Sequence, residues 1–165
     1  APWDVRACRL AGLLHDVGKV VMPDGILKKP GPLTEAEWAI VRTHPAAGEQ
    51  LLARIDGLEE AAVAVRHHHE RWDGRGYPDR LAGTEIPLAS RVVAAADAYS
   101  AITEDRPYRP SRTMAEAVEE LRRASGSHLD PAVVEALVAV LDRRHCEVAA
   151  RLEANARLDD DLAAT

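Results

Sequence analysis

Several residue types that bind metal ions stand where predicted helices end. His15 and Asp16 are adjacent, and they follow an apolar stretch that includes Leu10 and Leu14. An imidazole beside a carboxylate offers two types of metal ligand at one point of the chain. Lys19 comes shortly after Asp16 and would bring a cation close to whatever that carboxylate holds. Taken alone, the pair is better explained by an ordinary helix end, so its interpretation depends on the other histidines.

Two further helix ends carry histidines, His44 at one and His68 and His69 at another. Because helix ends lie side by side in a bundle, these side chains can converge with His15 on one centre. A single histidine in a helical protein is usually structural, but three separate helix-end sites favour a shared metal site. For the run His67–His69, a solvated helix end remains the alternative interpretation.

Asp97 lies within an apolar predicted helix and is the clearest single indication of a bound cation. Its neighbours on the same helix face are Val93, Ala94, Ser100 and Ala101. All are small or apolar, which predicts that this face is buried. A buried carboxylate needs a cation or strong donors, or it takes up a proton. A metal ion would satisfy Asp97, and an arginine partner such as Arg91 or Arg106 is the alternative.

The candidate ligands indicate a type of chemistry. Imidazole and carboxylate groups without a thiolate suit iron, manganese or zinc. The candidates outnumber the ligands of one four-coordinate ion, which favours two ions with Asp16 as the bridge. Two neighbouring metal ions are a standard means of phosphodiester hydrolysis, because they hold the phosphate, activate a water molecule and stabilise the leaving oxygen.

Loop residues could supply the substrate contacts. Arg106 and Arg109 lie on a short proline-containing loop, where they could bind a phosphate or a guanine edge or could simply be solvated. Tyr77 could stack on a base or pack its own loop.

The composition limits the class of protein. With 165 residues, 47% of them hydrophobic and none of them Phe, the chain fits one domain with a core of aliphatic side chains. A net charge of −6 argues against a general nucleic-acid surface but not against a small anionic ligand.

Cys8 and Cys146 form no metal pattern or disulfide framework, which favours the cytoplasm. There is no apolar run that could span a membrane and no signal peptide, and the start at Ala1 without Met suggests a piece of a longer chain.

Hydrophobic periodicity and turn residues predict an all-α fold. The predicted helices span residues 4–16, 34–44, 45–55, 58–70, 88–104 and 113–124, and a long last helix begins at 131. Capping boxes at Thr34 and Thr113 mark two of the starts. Gly18 is expected to end the first helix in a left-handed conformation, and residues 18–33 are expected to form a loop. No stretch shows the alternation of a β-strand.

Together these motifs resemble the HD-GYP domain, the bacterial branch of the HD phosphohydrolases. The resemblance rests on HDVGK at 15–19, THP at 43–45 and HHERWDGRGYP at 68–78, the last of which is long and highly specific. Shorter matches are IPLASR at 86–91, ADAY at 96–99, RPYR at 106–109 and GSHLDP at 126–131, with Leu129 where the family usually has an aromatic residue. The matched region runs from about Ala7 to Val134.

The resemblance implies an all-α bundle of about six to seven helices, with an HD-GYP domain at 1–134 and a C-terminal helical extension at 135–165. It implies two or three divalent transition metal ions, usually iron or manganese, and hydrolysis of the bacterial messenger cyclic di-GMP to pGpG or GMP. The implied metal ligands are His15, Asp16, His44, His68, His69 and Asp97. Asp16 and Lys19 would act in catalysis, and the implied substrate-binding residues are Lys19, Gly76, Tyr77, Arg106 and Arg109.

Two features depart from the family pattern. Family members have a further metal-binding histidine on a helix upstream of the HD pair, before the first residue of this chain, and Ser100 stands where they usually have Asp. We therefore expect an incomplete metal site with weak activity and exposed apolar surface beside the first helix, which could lead to a homodimer, a swapped helix or coverage by the long C-terminal helix. We also expect a sensory or receiver domain elsewhere in the full protein. The alternatives are a catalytically impaired module that binds cyclic di-GMP or a protein partner, and an HD phosphohydrolase for another nucleotide.

Overall fold

The computed structural model describes residues 5–104 and 112–163, and these residues form eight α-helices. They are α1 (Val5–Leu14), α2 (Asp24–Leu27), α3 (Glu35–Val41), α4 (His44–Leu52), α5 (Glu59–Arg66), α6 (Leu88–Thr103), α7 (Met114–Ala124) and α8 (Pro131–Ala163). Two short 3-10 helices span Val17–Val21 and Gly83–Glu85. The described part of the chain contains no β-strand, which confirms the all-α prediction. Since α2 is a single turn of 4 residues, seven longer helices make up the bundle, as predicted.

Helix starts follow the local sequence signals. The side chains of Thr34 and Thr113 accept hydrogen bonds from the backbone of Glu37 and Glu116, whose carboxylates accept in return, so both predicted capping boxes are confirmed. None of the helices in the described ranges combines the length and apolar character needed to cross a lipid bilayer.

The histidines lie at helix boundaries, but not always at the predicted ones. α3 ends before His44, and His44 is the first residue of α4 rather than the end of the preceding helix. Pro45 favours this arrangement, because proline fits the first turn of a helix. α5 also ends earlier than predicted, so the run His67–His69 forms a turn after that helix. His15 similarly follows the end of α1 in a turn.

Gly18 is required by close packing, whereas the expectation of a left-handed backbone is wrong. It lies in the 3-10 helix Val17–Val21 and is absent from the described glycines with positive φ. A Cβ at this position would overlap the carbonyl oxygen of His44 and the backbone nitrogen of Gly48. The prediction of a loop at 18–33 is also wrong in its first half, where this 3-10 helix and α2 lie. The glycines and prolines of the segment had favoured a loop over these two short helices.

Two apolar clusters share α6. The first joins α1, α4, α5 and α6 around Ala11 and Val65, and the second joins α6, α7 and α8 around Leu121 and Val134. The first cluster fixes the relative positions of the helices that carry the histidines. α8 runs unbroken past Val134, and Val138 still packs in the second cluster, so the division between domain and extension stays a prediction.

Candidate metal centre

Three histidines are held in the same way, each by the helix that precedes it. The Nδ1 atom of each lies close to a carbonyl oxygen three residues earlier: His15 to Gly12 at 2.8 Å, His44 to Val41 at 2.7 Å and His68 to Val65 at 2.6 Å. A carbonyl can only accept, so Nδ1 donates in each of these contacts, and in a neutral ring Nε2 then keeps its lone pair. Such a hydrogen bond fixes the tautomer and orients the ring for a ligand at Nε2.

The histidine rings converge. One ligand atom from each of His44, His68 and His69 can be chosen so that all lie within 4.8 Å of one another, and their ring centroids are 4.0 to 5.3 Å apart. The ring of His15 lies 5.3 Å from that of His68. The four histidines, predicted from three separate stretches of sequence, therefore meet in one place, here called the histidine cluster.

Asp16 lies between two of these histidines. Its Oδ1 atom is 3.4 Å from Nε2 of His44, and its Oδ2 atom is 3.5 Å from Nε2 of His15. Oδ2 also accepts a 2.6 Å hydrogen bond from Nζ of Lys19. Burial opposes the ionisation of Asp16, but this bond and the positive charge of Lys19 outweigh it and lower the pKa of the carboxyl. An ionised carboxylate whose two oxygens face different imidazoles is arranged as a bridging ligand would be.

His44 and His68 are buried, and within the described ranges the Nε2 atom of each has no hydrogen-bond partner. Desolvation lowers the pKa of His44, and it is the main reason why the pKa of His68 falls to about 4 and that of His69 to about 3. These rings are therefore neutral near pH 7, which is the form that binds metal ions. Because buried polar atoms nearly always have partners, two such atoms beside a carboxylate fit a divalent transition metal ion.

Asp97 reaches the same centre but is not buried, so that part of its prediction is wrong. Its Oδ1 atom is 3.7 Å from Nε2 of His15, while its side chain is 39% exposed. The exposure arises because Asp97 lines two open cavities of about 420 and 370 Å³. The alternative partner Arg91 pairs with Asp130 at 2.6 Å instead. Ser100 lines the larger of the two cavities together with Asp97.

The segment 70–80, here called the GYP loop, folds back over the histidines. The ring of Tyr77 stacks on that of His69, with centroids 4.9 Å apart and planes inclined by 30°. Gly76 is buried, and a Cβ there would overlap the backbone of Glu70 and Arg71. Burial raises the pKa of Tyr77 to about 12, so its hydroxyl keeps its proton and can donate a hydrogen bond.

Glu70 holds the two ends of the GYP loop together, a role that was not predicted from the sequence. Its side chain is buried, and its Oε1 atom accepts a 2.6 Å hydrogen bond from the backbone of Asp79. Asp79 is held in turn by two nitrogens of Arg66, at 2.7 and 2.9 Å, and Arg66 also binds Glu49 at 2.7 Å. The Nδ1 atom of His67 lies 3.4 Å from Asp79, so His67 belongs to this group rather than to the histidine cluster. Only the position of Glu70 directly after the histidines could have signalled its importance.

Most of the predicted site residues lie close together in the structure, and two lie outside the described residues. The structure brings together His15, Asp16, Lys19, His44, His68, His69, Gly76, Tyr77 and Asp97. Their roles in metal and substrate binding stay predictions. Arg106 and Arg109 lie outside the described residues, so nothing is added to their predicted role in substrate binding.

Comparison with known proteins gives the same class of domain. A model of the HD domain family matches residues 1–133. A cyclic di-GMP phosphodiesterase of Pseudomonas aeruginosa is 47% identical over 137 residues, which cover 81% of this chain and 32% of that protein. A 3′3′-cGAMP-specific phosphodiesterase of Vibrio cholerae is 43% identical over 130 residues, which cover 78% of this chain and 25% of that protein. The chain thus spans a third or less of the length of these relatives.

A solved structure shares the fold. The crystal structure of a cyclic GMP-AMP specific phosphodiesterase of Vibrio cholerae matches with a TM-score of 0.64 and 19% identity, over 82% of this chain and 38% of that chain. Family match, relatives and fold agree that the chain belongs to the HD domain family. The HHERWDGRGYP element at 68–78 makes it an HD-GYP domain, and HD phosphohydrolase domains bind divalent metal ions.

Proposed function

We propose that this chain is the hydrolytic domain of a metal-dependent phosphodiesterase that cleaves cyclic di-GMP to pGpG or GMP. The observation that carries the proposal is the pair of buried, unpartnered Nε2 atoms of His44 and His68, of which that of His44 lies 3.4 Å from Asp16. A purely structural role would leave two buried lone pairs unsatisfied, whereas bound cations satisfy them. The similarity to the phosphodiesterase of Pseudomonas aeruginosa supports cyclic di-GMP as the substrate.

Two or three iron or manganese ions are part of the proposal. Their ligands would be His15, Asp16, His44, His68, His69 and Asp97. Bound ions would hold the phosphate, lower the pKa of a water molecule and stabilise the leaving oxygen. The exposed side of Asp97 faces open cavities, which leave room there for water and substrate.

Lys19 and the GYP loop supply the contacts to the substrate. The ammonium group of Lys19 lies 2.6 Å from Asp16, so a phosphate held by metal ions on that carboxylate would be within its reach. There it stabilises the negative charge that develops on the phosphate oxygens in the transition state. The Tyr77 hydroxyl keeps its proton and can donate a hydrogen bond to the substrate. Gly76 lets the loop pack closely against the backbone of Glu70 and Arg71. Arg106 and Arg109 complete the proposed set of substrate-binding residues.

The test is a hydrolysis assay with protein loaded anaerobically with Fe(II) or Mn(II). Cyclic di-GMP should be converted to pGpG or GMP, a chelator should abolish the reaction, and Asp16→Asn should abolish it too. Asp24→Asn is the matched control, because Asp24 forms an equally short 2.6 Å pair with Lys28 on an exposed surface. Stoichiometric metal and nucleotide binding without cleavage would favour the catalytically impaired module instead.

A second candidate substrate is cyclic GMP-AMP, because a relative that is 43% identical is named as specific for it. Comparison of kcat/KM for the two cyclic dinucleotides decides between them. A higher value for cyclic GMP-AMP would assign this chain to that substrate without changing the proposed reaction.

A further inference from the structure

A strongly basic cavity adjoins the histidine cluster beside the GYP loop. It encloses about 630 Å³, and its lining contains four arginines, Arg42, Arg71, Arg75 and Arg80, but no Asp or Glu. The whole chain carries a net charge of −6, so this concentration of positive charge is a local feature. A cavity with such a lining attracts anions.

Two of the four arginines form ion pairs that fix the walls of the cavity. Arg71 donates from Nε to Oδ1 of Asp73 at 2.9 Å and also contacts His128. Arg42 donates to Glu35 at 2.8 Å. The charge of these two guanidinium groups is therefore largely compensated within the protein.

The other two arginines remain available to a ligand. Within the described ranges, neither Arg75 nor Arg80 forms an ion pair, the charge of Arg75 acts on Asp73 only from a longer distance, and both residues are exposed. Arg80 also has a φ of 57°, in the left-handed region that non-glycine residues rarely adopt. Backbone conformations of this kind cluster at active sites and ligand-binding segments.

The cavity and the histidine cluster share one wall. His69 belongs to the cluster and lines the cavity, and Tyr77, stacked on it, lines the cavity as well. A ligand with two phosphates could therefore place one at the cluster and the other among the arginines. A cyclic dinucleotide has two phosphodiester groups, of which only one is cleaved at a time.

We propose that the arginine cavity is a second phosphate subsite, in which Arg75 and Arg80 bind the phosphodiester that is not being cleaved. This inference rests on the proposed function, since it concerns how the same substrate is held. It assigns to Arg75 and Arg80 a role in selecting ligands with two phosphates over ligands with one. Charge-assisted hydrogen bonds from guanidinium groups to phosphate are strong enough to have a large effect on affinity.

The test compares the native protein with the double variant Arg75→Gln/Arg80→Asn. Asn is chosen at 80 because it tolerates the left-handed backbone, and Arg54→Gln is the control, since Arg54 is exposed and lies outside the cavity lining. Binding of cyclic di-GMP to the metal-free proteins is measured by calorimetry. In parallel, kcat and KM of the manganese-loaded proteins are measured for cyclic di-GMP and for GpG, which has both guanines but one phosphate.

The double variant should bind cyclic di-GMP at least about tenfold more weakly and raise its KM by a similar factor, with kcat changed less than about twofold. The KM for GpG should not change, and Arg54→Gln should behave as the native protein does.

Equal affinities of native and variant protein, or no binding by the native metal-free protein, would overturn the inference. An equal loss for both substrates would overturn it too, because the arginines would then bind bases. Failure of the native protein to hydrolyse any substrate would instead overturn the proposed function, and the binding comparison would still decide on the subsite.

Discussion

The rings of His69 and Tyr77 stack with their centroids 4.9 Å apart and their planes inclined by 30°. His69 belongs to the histidine cluster and Tyr77 to the GYP loop, so this contact couples the orientation of a candidate metal ligand to the position of the loop. The hydrogen bond from the backbone of Asp79 to Glu70 joins the two ends of the same loop. This bond therefore closes the loop, and the stack is the loop's ring contact with the candidate metal site.

Loss of this stack should weaken metal binding. An aromatic pair contributes about 0.5–1.5 kcal/mol beyond its buried area, which corresponds to a loss of at most about tenfold in affinity. Tyr77→Leu should therefore raise the Kd for Mn(II) by about three- to tenfold, as measured by titration against a competing chelator. Tyr77→Phe keeps the ring and should change the Kd by less than about twofold. An unchanged Kd in the Leu variant would show that the stack does not orient His69.

Lys19 and Lys28 form aspartate pairs of the same length, 2.6 Å, but only the pair of Lys19 lies at the histidine cluster. Removal of a cation that stabilises transition-state charge typically lowers kcat by about 10²- to 10³-fold. Lys19→Met should show such a loss, whereas Lys28→Met should keep the native kcat. Steady-state hydrolysis of cyclic di-GMP by the two variants makes the comparison. Equal activities would mean that the Lys19 pair is only a surface ion pair.

The metal-free protein should lose stability in mild acid. The pKa of His68 is about 4 in the folded protein, against 6.5 for an ordinary histidine, mainly because of burial. The unfolded chain therefore binds more protons between these values, and the free energy of unfolding falls as the pH is lowered from about 6.5 to 4. The contribution of His68 alone is about 3 kcal/mol. Urea unfolding at several pH values measures how steeply the free energy of unfolding depends on pH. This dependence should become shallower in His68→Gln and stay native-like in His145→Gln. A native slope in the His68 variant would contradict this assignment.

Gly18 should not tolerate a side chain. A Cβ there would meet backbone atoms of His44 and Gly48, which cannot rotate away as a side chain could. Gly18→Ala is expected to cost about 3 kcal/mol or more in the free energy of unfolding, the upper end for overpacking. Gly25→Ala, at a glycine with open space around it, should be neutral or slightly stabilising. Similar unfolding midpoints for the two variants in urea would show that the contact between α4 and the HDVGK segment can relax.

Local signals in the sequence predicted the longer helices and the convergence of the candidate metal ligands. The capping boxes at Thr34 and Thr113 involve residues within one helical turn, so they can be recognised without the fold. The convergence of His15, His44 and His68 follows from helix ends meeting in a bundle, and the structure places these residues together.

The sequence prediction failed where a residue depends on distant partners. Gly18 was assigned a backbone role because its contact with Gly48 arises only when α4 packs against it. Asp97 was expected to be buried because its neighbours on α6 are apolar, but the adjacent cavities leave its carboxylate 39% exposed. The arginine cavity was missed because Arg42 and Arg80 come from separate segments that meet only in the folded protein.

The central claim is that the histidine cluster and its two aspartates hold divalent metal ions, and metal content tests it most directly. Protein loaded anaerobically with Fe(II) or Mn(II) and then desalted should retain at least one ion per chain by elemental analysis. His44→Gln and Asp97→Asn should retain less, whereas His145→Gln should match the native protein. A native protein without stoichiometric metal, or an unchanged content in the His44 and Asp97 variants, would contradict the account.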